Sequence, residues 1–421
     1  MGGLNIKQRV GDFRVRELLQ PDYLTESGDH RVYRVTKRKL TTQKAVAILA
    51  QEAGVERHAV GIAGFKDRQA ISVQYMSVAG GRPVRLQTSE IRIDFVGFAR
   101  EPLSSEKSSG NAFEITARGL DRPDVARLRT NLPIVREHGL IDYFDDQRFG
   151  NLSHGQGWVA KELMLGRPEG ALKMLLASRN PADDDAHRRF KDEVLRAWGD
   201  WRTCRDAAGR FGEHHSVFEH LAKNQADFSG AFSRVATRLR LIHLYAWQSH
   251  LWNRAVSDHL RSLLPLEERV LLDSVEGVLV THAAAPPRAF LERADFPLPG
   301  ERLAGVEDPR EVALYTEVLS REGMGVHELC VSPEIPGFLL KPESRDLVVR
   351  PRHLRVRPAE EDALQRGAWQ VRVRFELPRG SYASLVVKRL FASANGAEPR
   401  RGVPERGRET RGPRGAGGRR R

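Results

Sequence analysis

"GIAGFKDRQAISVQ", residues 61–74, sets two glycines, a lysine and an aspartate between two apolar runs. Val60, Ile62 and Ala63 precede the charged pair and Ile71, Val73 and Tyr75 alternate after it, so both ends read as strands and the middle as their connection. Gly61 and Gly64 are expected to supply backbone angles closed to other residues, which sets Lys66 and Asp67 on a tight turn beside a sheet. Taken alone, the pattern fits either a surface turn in which Asp67 bonds its own backbone or a carboxylate fixed at a site. The rest of the chain has to choose between them.

Upstream of the turn, "FRVREL" and "RVYRVTKR" are strand candidates, and Thr41 and Thr42 can cap a helix that runs through Ala53 and stops at Gly54. Downstream, "IRIDFVGFA" and "NAFEITARGL" add strands to what reads as a mixed sheet. From about residue 155 to 265 the periodicity becomes helical. It is clearest in "LRLIHLYAWQSHLWNRAVSDHL", where the Trp and Leu stripe reads as a core face. Strands return at "RVLLDSV" and "GVLVTHAA" and, after the Pro-rich "FPLPGERLAG", at "LVVRPRHLRVRP" and "WQVRVRFELP". Two changes of character are what a helical domain inserted into a sheet domain produces, although a linear succession of domains looks similar.

The 421 residues suffice for two or three domains with a buried core. The two cysteines, Cys204 and Cys330, are far apart and belong to no C-x-x-C pair, so a disulfide framework and a cysteine zinc site are both unsupported. His214, His215 and His220 cluster without acidic or cysteine ligands at metal spacing, and no metal is expected. No G-x-G-x-x-G, P-loop or H-E-x-x-H occurs, which leaves nucleotide cofactors and a zincin site without support. No apolar run is long enough for a bilayer and "MGGLNIKQRV" has no signal-like core, so the expectation is a cytoplasmic protein with no membrane contact. The formal net charge of +13 asks for a polyanionic partner. Of this, +6 comes from the nine arginines and three glutamates between Glu398 and Arg421, in a Gly, Pro and Arg tail expected to be disordered and to serve either as an RNA tether or as a solubilising end.

Six stretches, in order from about residue 6 to 392, together resemble the TruD family of RNA pseudouridine synthases. "GIAGFKDRQAISVQ" resembles the family's A-G-x-K-D-x-x-A-x-x-x-Q segment, "GNAFEI" its G-N-x-F, and "YFDDQRFG" its Y-F-G-x-Q-R-F-G with Asp145 in place of the glycine. "YAWQSHLWN" resembles a helix of the family's inserted domain, and "FELPRGSYASLVVKRL" its C-terminal strand, turn and helix. "KQRVGDF" resembles K-x-x-P-E-D-F, keeping Lys7, Asp12 and Phe13 but carrying Val10 and Gly11 for Pro-Glu. "REPLSSEKSSGN", with Glu101 and Glu106, stands where the family tends to be basic.

The resemblance implies an α+β fold: an antiparallel pseudouridine-synthase sheet flanked by helices, with a second (TRUD) domain inserted. It divides the chain into a catalytic domain from 1–145 and 345–395, an inserted domain from 146–344 and a basic tail from 396–421. It implies isomerisation of a uridine in tRNA, at position 13 in the enzymes resembled, by a monomer without a cofactor. Asp67 falls on the catalytic aspartate. A nucleophilic carboxylate has to be ionised, a state that a neighbouring cation favours, with Lys7 the matched candidate and Lys66 able to point away instead. Phe113 is suited to stack on an extruded base, and Asn111 to hold the strand or read the uracil edge. Phe13, Gln147 and Arg148 are supporting candidates. The last two lie at the domain junction and either contact RNA or lock the domains. The competing reading is a non-catalytic RNA-binding or RNA-folding protein on the same scaffold.

Overall fold

The computed structural model describes residues 5–150, 157–180, 183–331, 335 and 337–393. The basic tail lies outside the described residues. Strands β1 (Phe13–Leu19) and β2 (His30–Arg38) are followed by helix α1 (Thr42–Ala53), then β3 (Val60–Ile62), β4 (Ile71–Ala79), β5 (Leu86–Gln87), β6 (Ile91–Ala99) and the long β7 (Ser108–Leu120). Helix α1 has the expected ends: the Thr41 hydroxyl accepts from the Lys44 amide, and Gly54 closes it in the left-handed conformation at φ 71°. Helix α2 (Arg122–His138) leads to β8 (Leu140–Ile141), after which the chain leaves the sheet.

Helices α3 (Val159–Met164), α4 (Pro168–Ala177), α5 (Asp185–Arg196), α6 (Trp201–Phe211), α7 (His215–Lys223), α8 (Phe228–Ser233) and α9 (Thr237–Leu263) fill the next stretch. The hairpin of β9 (Arg269–Ser274) and β10 (Gly277–His282) follows, then β11 (Asp295–Leu298), α10 (Pro309–Arg321) and β12 (Glu343–Asp346). Strand β13 (Val348–Val349) returns to pair with β8, so the outgoing and incoming chains run side by side. Strands β14 (Arg352–Val356), β15 (Glu360–Glu361) and β16 (Trp369–Leu377) and helix α11 (Ala383–Phe391) complete the description.

The large sheet runs in the order β14-β16-β7-β1-β4-β2-β6-β5, with β15 against β16 and β3 against β4. Its described pairings are antiparallel except for β1 with β4, which are parallel neighbours. The sheet is thus antiparallel as the resemblance implies, with this one parallel pair within it. Parallel neighbours need a crossover, and β2, α1 and β3 supply it.

One core lies under α1, where Tyr33, Val35, Met76, Val78 and Ile93 meet Ala45 and Leu49. A larger core joins Val15, Ile115, Val373 and Phe375 of the sheet to α2, α11 and the helical stretch. Trp247 and Trp252 of α9 are fully buried in it, which is the core role read from their spacing. The turn of residues 63–70 connects β3 to β4 and puts Ala70 into the larger core.

Candidate active site

The two glycines of the turn do not act as expected from the sequence. Neither Gly61 nor Gly64 has a positive φ. Gly61 is required by closeness instead, since a Cβ there would meet the Ser77 hydroxyl at 2.5 Å and the Leu103 backbone at 2.8 Å. Nothing lies within 4 Å of a Cβ placed on Gly64.

Buried side chains beneath the turn fix its shape. Thr42, at the start of α1, accepts the Lys66 amide at 3.0 Å and donates to Gln74 Oε1 at 3.0 Å. The Lys66 side chain turns away from Asp67 and meets Glu17, Nζ to Oε1, at 2.7 Å. Glu17 Oε2 also accepts the Tyr75 amide at 2.9 Å. Tyr75 sits between the part of β4 that pairs with β1, Ile71 to Val73, and the part that pairs with β3, Met76 to Val78. Glu17 therefore fills the fork where one edge of β4 changes partner, and the same carboxylate ties down the turn. Lys37, fully buried on β2, donates to three carbonyls: Leu40 at 2.9 Å, Asp67 at 3.0 Å and Lys66 at 3.2 Å. Burial pulls its ammonium down to about 8, against the attraction of Asp67.

With its backbone held from below, Asp67 presents its carboxylate to a cavity of about 1040 Å³. Lys7 Nζ donates to Oδ2 at 2.6 Å and Gln147 Nε2 to Oδ1 at 3.0 Å, so the two oxygens are held from opposite ends of the first 150 residues. Phe13 supports this arrangement. Its ring lies 4.7 Å beneath the Lys7 ammonium and edge-on to Phe113, with centroids 6.1 Å apart. Phe113 is half-buried on the cavity wall, backed by Phe375 at 5.5 Å. Asn111, two residues earlier on the same face of β7, also lines the cavity, and its buried Oδ1 has no partner among the described residues. The glycine before it is a packing requirement: Gly110 has φ 151°, and a Cβ there would lie 2.1 Å from the Leu377 carbonyl oxygen.

Arg148 is turned toward α9. Its Nε donates to the Ser249 hydroxyl at 2.9 Å, and its guanidinium covers Phe144 and Tyr245. Asp145, the residue in place of the family glycine, is buried and paired with Lys388 of α11 at 2.7 Å. Asp146 pairs with the same ammonium at 2.6 Å. Burial lowers the Lys388 ammonium, but the two carboxylates outweigh it and hold it above its ordinary value. At the second departure a side chain on Gly11 would meet nothing within 4 Å, and Asp12 still anchors the segment through the buried Arg118. At the third, Glu101 is paired with Lys107 at 2.6 Å.

The structure thus brings Asp67, Lys7, Lys66, Phe13, Phe113, Asn111, Gln147 and Arg148 to one cavity. Sequence reasoning missed Glu17 and Lys37, read Thr42 only as a possible helix cap, and assigned Gln74 no role.

The sheet is interrupted by a helical stretch and carries a lysine-paired aspartate on the connection between β3 and β4. Residues 1–390 match the family model of tRNA pseudouridine synthase D (TruD), and the chain belongs to that family. It is 30% identical over 399 residues to the tRNA pseudouridine synthase D of Geobacter metallireducens, covering 92% of this chain and 95% of that one. It is 29% identical over 400 residues to "Probable tRNA pseudouridine synthase D 2" of Methanocaldococcus jannaschii, covering 92% of each. The crystal structure titled "Putative tRNA pseudouridine synthase D (TruD)" from Methanosarcina mazei superposes with a TM-score of 0.68 at 23% identity, over 92% of this chain and 93% of that one, which bears on the fold alone.

Proposed function

We propose that this protein isomerises a uridine of tRNA to pseudouridine, with Asp67 as the nucleophilic carboxylate. The observation that carries the reading is the carboxylate itself: fixed from beneath, with a cation on one oxygen and an amide on the other, and open to a cavity walled by an aromatic ring. The reaction breaks the N-glycosidic bond, turns the base and rejoins it through carbon; the ring carbon gives up its proton and the freed ring nitrogen gains one, so the site needs a nucleophile, a place to hold the detached base and a proton acceptor, and the balance needs no oxidant or reductant. Lys7 pairs with the Asp67 carboxylate at 2.6 Å on the oxygen opposite to the one that Gln147 holds. Phe113 offers its face to the extruded base, recovering roughly 1–3 kcal/mol of the few lost on leaving the stack. The unpaired Asn111 oxygen suits an imide N–H such as that of uracil.

The segment 146–344 acts in this reading as the inserted domain, a division supported by the paired neck of β8 and β13. Tyr245 and Ser249 of α9 receive Arg148, so Arg148 locks the helical part to the sheet and need not touch RNA. The cytoplasm, where its substrate is, is the expected location, and among the described residues no helix is long and apolar enough to cross a membrane.

The test is pseudouridine mapping on unmodified tRNA transcripts incubated with the pure protein, with position 13 examined first. Conversion of one uridine is expected. Transcripts that are bound but left unconverted would overturn the reading.

A further inference from the structure

Phe65 is the residue between the turn's second glycine and its anchored lysine, and it takes no part in the arrangement described so far. It is a large aromatic left 56% exposed, on the wall of the cavity that holds Asp67. Exposure of that size costs hydrophobic burial, and the ring is not idle packing: none of the three apolar cores includes it. Its described partner comes from across the cleft. The Arg238 guanidinium, in the first turn of α9, lies 4.7 Å from the ring centroid. Arg238 is itself exposed, and no described carboxylate pairs with it, whereas Lys7, Lys66 and Lys388 around the same cavity are each neutralised by an acid. Ile242, one turn further along α9, lines the cavity on the same helix face.

We infer that Phe65 and Arg238 form a second nucleotide site, which stacks the base flanking the target uridine and takes its phosphate. This rests on the tRNA reading above. When a base is extruded its neighbour loses a stacking partner, and an exposed ring beside the cavity mouth replaces it. The reach is right, because Phe65 and Asp67 are two Cα-to-Cα steps apart along the chain, a span of at most ~7 Å. The unneutralised guanidinium supplies what a stacked nucleotide needs beyond a ring, a cation for its phosphate. Lys66, locked into Glu17 at 2.7 Å, keeps the ring and the carboxylate at a fixed separation.

The test couples protein and RNA changes. Affinity and single-turnover rate are measured for wild type, Phe65→Ala, Phe65→Trp and Arg238→Gln on a tRNA transcript. The same is done on two transcripts that are abasic at the nucleotide before or after the target. Phe65→Ala should weaken binding of the intact transcript roughly tenfold, with a smaller change in limiting rate, and Phe65→Trp should restore it. One of the two abasic transcripts should bind wild type about tenfold more weakly and show no further loss with Phe65→Ala. Arg238→Gln should make the salt dependence of binding shallower. Unchanged binding by Phe65→Ala, or the same loss on all three transcripts, would overturn the site and leave the pair as a latch across the cleft. If instead no protein converts any uridine while the coupling persists in binding, the reaction reading fails and the site stands.

Discussion

On its cavity side Asp67 is held by Lys7 and Gln147, and on its sheet side by Lys37 with the Lys66–Glu17 and Thr42–Gln74 pairs behind it. The first set is open to water: the Lys7 and Asp67 side chains are 36% and 31% exposed. The second set is not, with Lys37 and Gln74 at 0%, Glu17 at 1% and Thr42 at 2%. An exposed ion pair contributes at most about 1 kcal/mol, whereas breaking a buried one by removing a partner costs about 3–5 kcal/mol. The groups that would meet substrate are therefore the ones that can let go, and the rigidity of the site comes from the side that substrate never sees. Substitutions on the two sides should separate activity from stability.

The largest effect belongs to the front. Asp67→Asn should lower single-turnover isomerisation by at least about 10³-fold, since no second acid of the same turn can replace it. Its Tm should move by no more than about 2–4 °C, because only an exposed pair is lost. Appreciable pseudouridine formation by the pure variant would refute the assignment of Asp67. Lys37→Met should show the reverse emphasis. It strands the carbonyls of Leu40, Lys66 and Asp67, each at a cost of about 1–3 kcal/mol if it stays dry, so Tm should fall further than in Asp67→Asn. Turnover should drop about 10–100-fold through displacement of the carboxylate. A Lys37→Met protein as stable and active as wild type would show that the turn holds itself.

Lys37 also predicts opposite pH trends. Its ammonium, at about 8 in the fold and 10.5 when free, carries its burial cost in full below about pH 8. Between about pH 8 and 10.5 the unfolded chain holds a proton that the folded one does not, so this group's contribution to stability rises with pH. The neutral amine has two hydrogens for three carbonyls, so the turn should loosen over the same range. From pH 7 to 9 wild type should gain thermal stability relative to Lys37→Met while its activity advantage shrinks. Parallel trends in the two quantities would break the link between Lys37 and the turn.

Much of the frame was legible because its signals are local. The Thr41 cap and Gly54 stop bound α1, and the Trp and Leu period of α9 marks a buried face. Asp67, Lys7, Asn111 and Phe113 were reached through motif resemblance, which carries positions but no contacts. The sheet side was missed although it left a mark. In "FRVREL" the buried phase runs Phe13, Val15, Glu17, and in "RVYRVTKR" it runs Tyr33, Val35, Lys37. A charge in the inward phase of an alternating strand needs a buried partner, and this alone singles out Glu17 and Lys37. Their partners were not readable, since Lys66 lies 49 residues from Glu17 and Asp67 lies 30 from Lys37, across pairings that only the folded sheet defines. The parallel register of β1 and β4 was hidden for the same reason.

A smaller effect is expected where a front residue is also half packed. Phe113 touches Phe13 and Phe375, so Phe113→Ala loses ring contacts as well as the stacking face. Loss of about 1–3 kcal/mol of stacking should slow reaction on folded tRNA roughly 5–150-fold, and Phe113→Tyr should stay within a few-fold of wild type. The alanine variant should recover part of its rate on a short single-stranded RNA, where unstacking costs less. A stable Phe113→Ala enzyme with unchanged rates on folded tRNA would move the stacking role elsewhere.

The smallest effect should come from Gln147, and it bears most directly on how the front is built. Its amide gives Asp67 Oδ1 one hydrogen bond, in a place where water can take over. Lys7 keeps the other oxygen, so Gln147→Ala should cost only about 2–5-fold in rate and leave Tm unchanged. Gln147→Glu differs by one atom in shape but sets a second carboxylate against the first. Two such groups in hydrogen-bond contact cannot both ionise freely, and near pH 5 they share a proton that Asp67 has to release before it can attack. Gln147→Glu should therefore fall well below Gln147→Ala at pH 5 and approach it at pH 8. If the two variants instead track each other across that range, Gln147 does not face Asp67 in the working enzyme, and the front of the site is held by Lys7 alone.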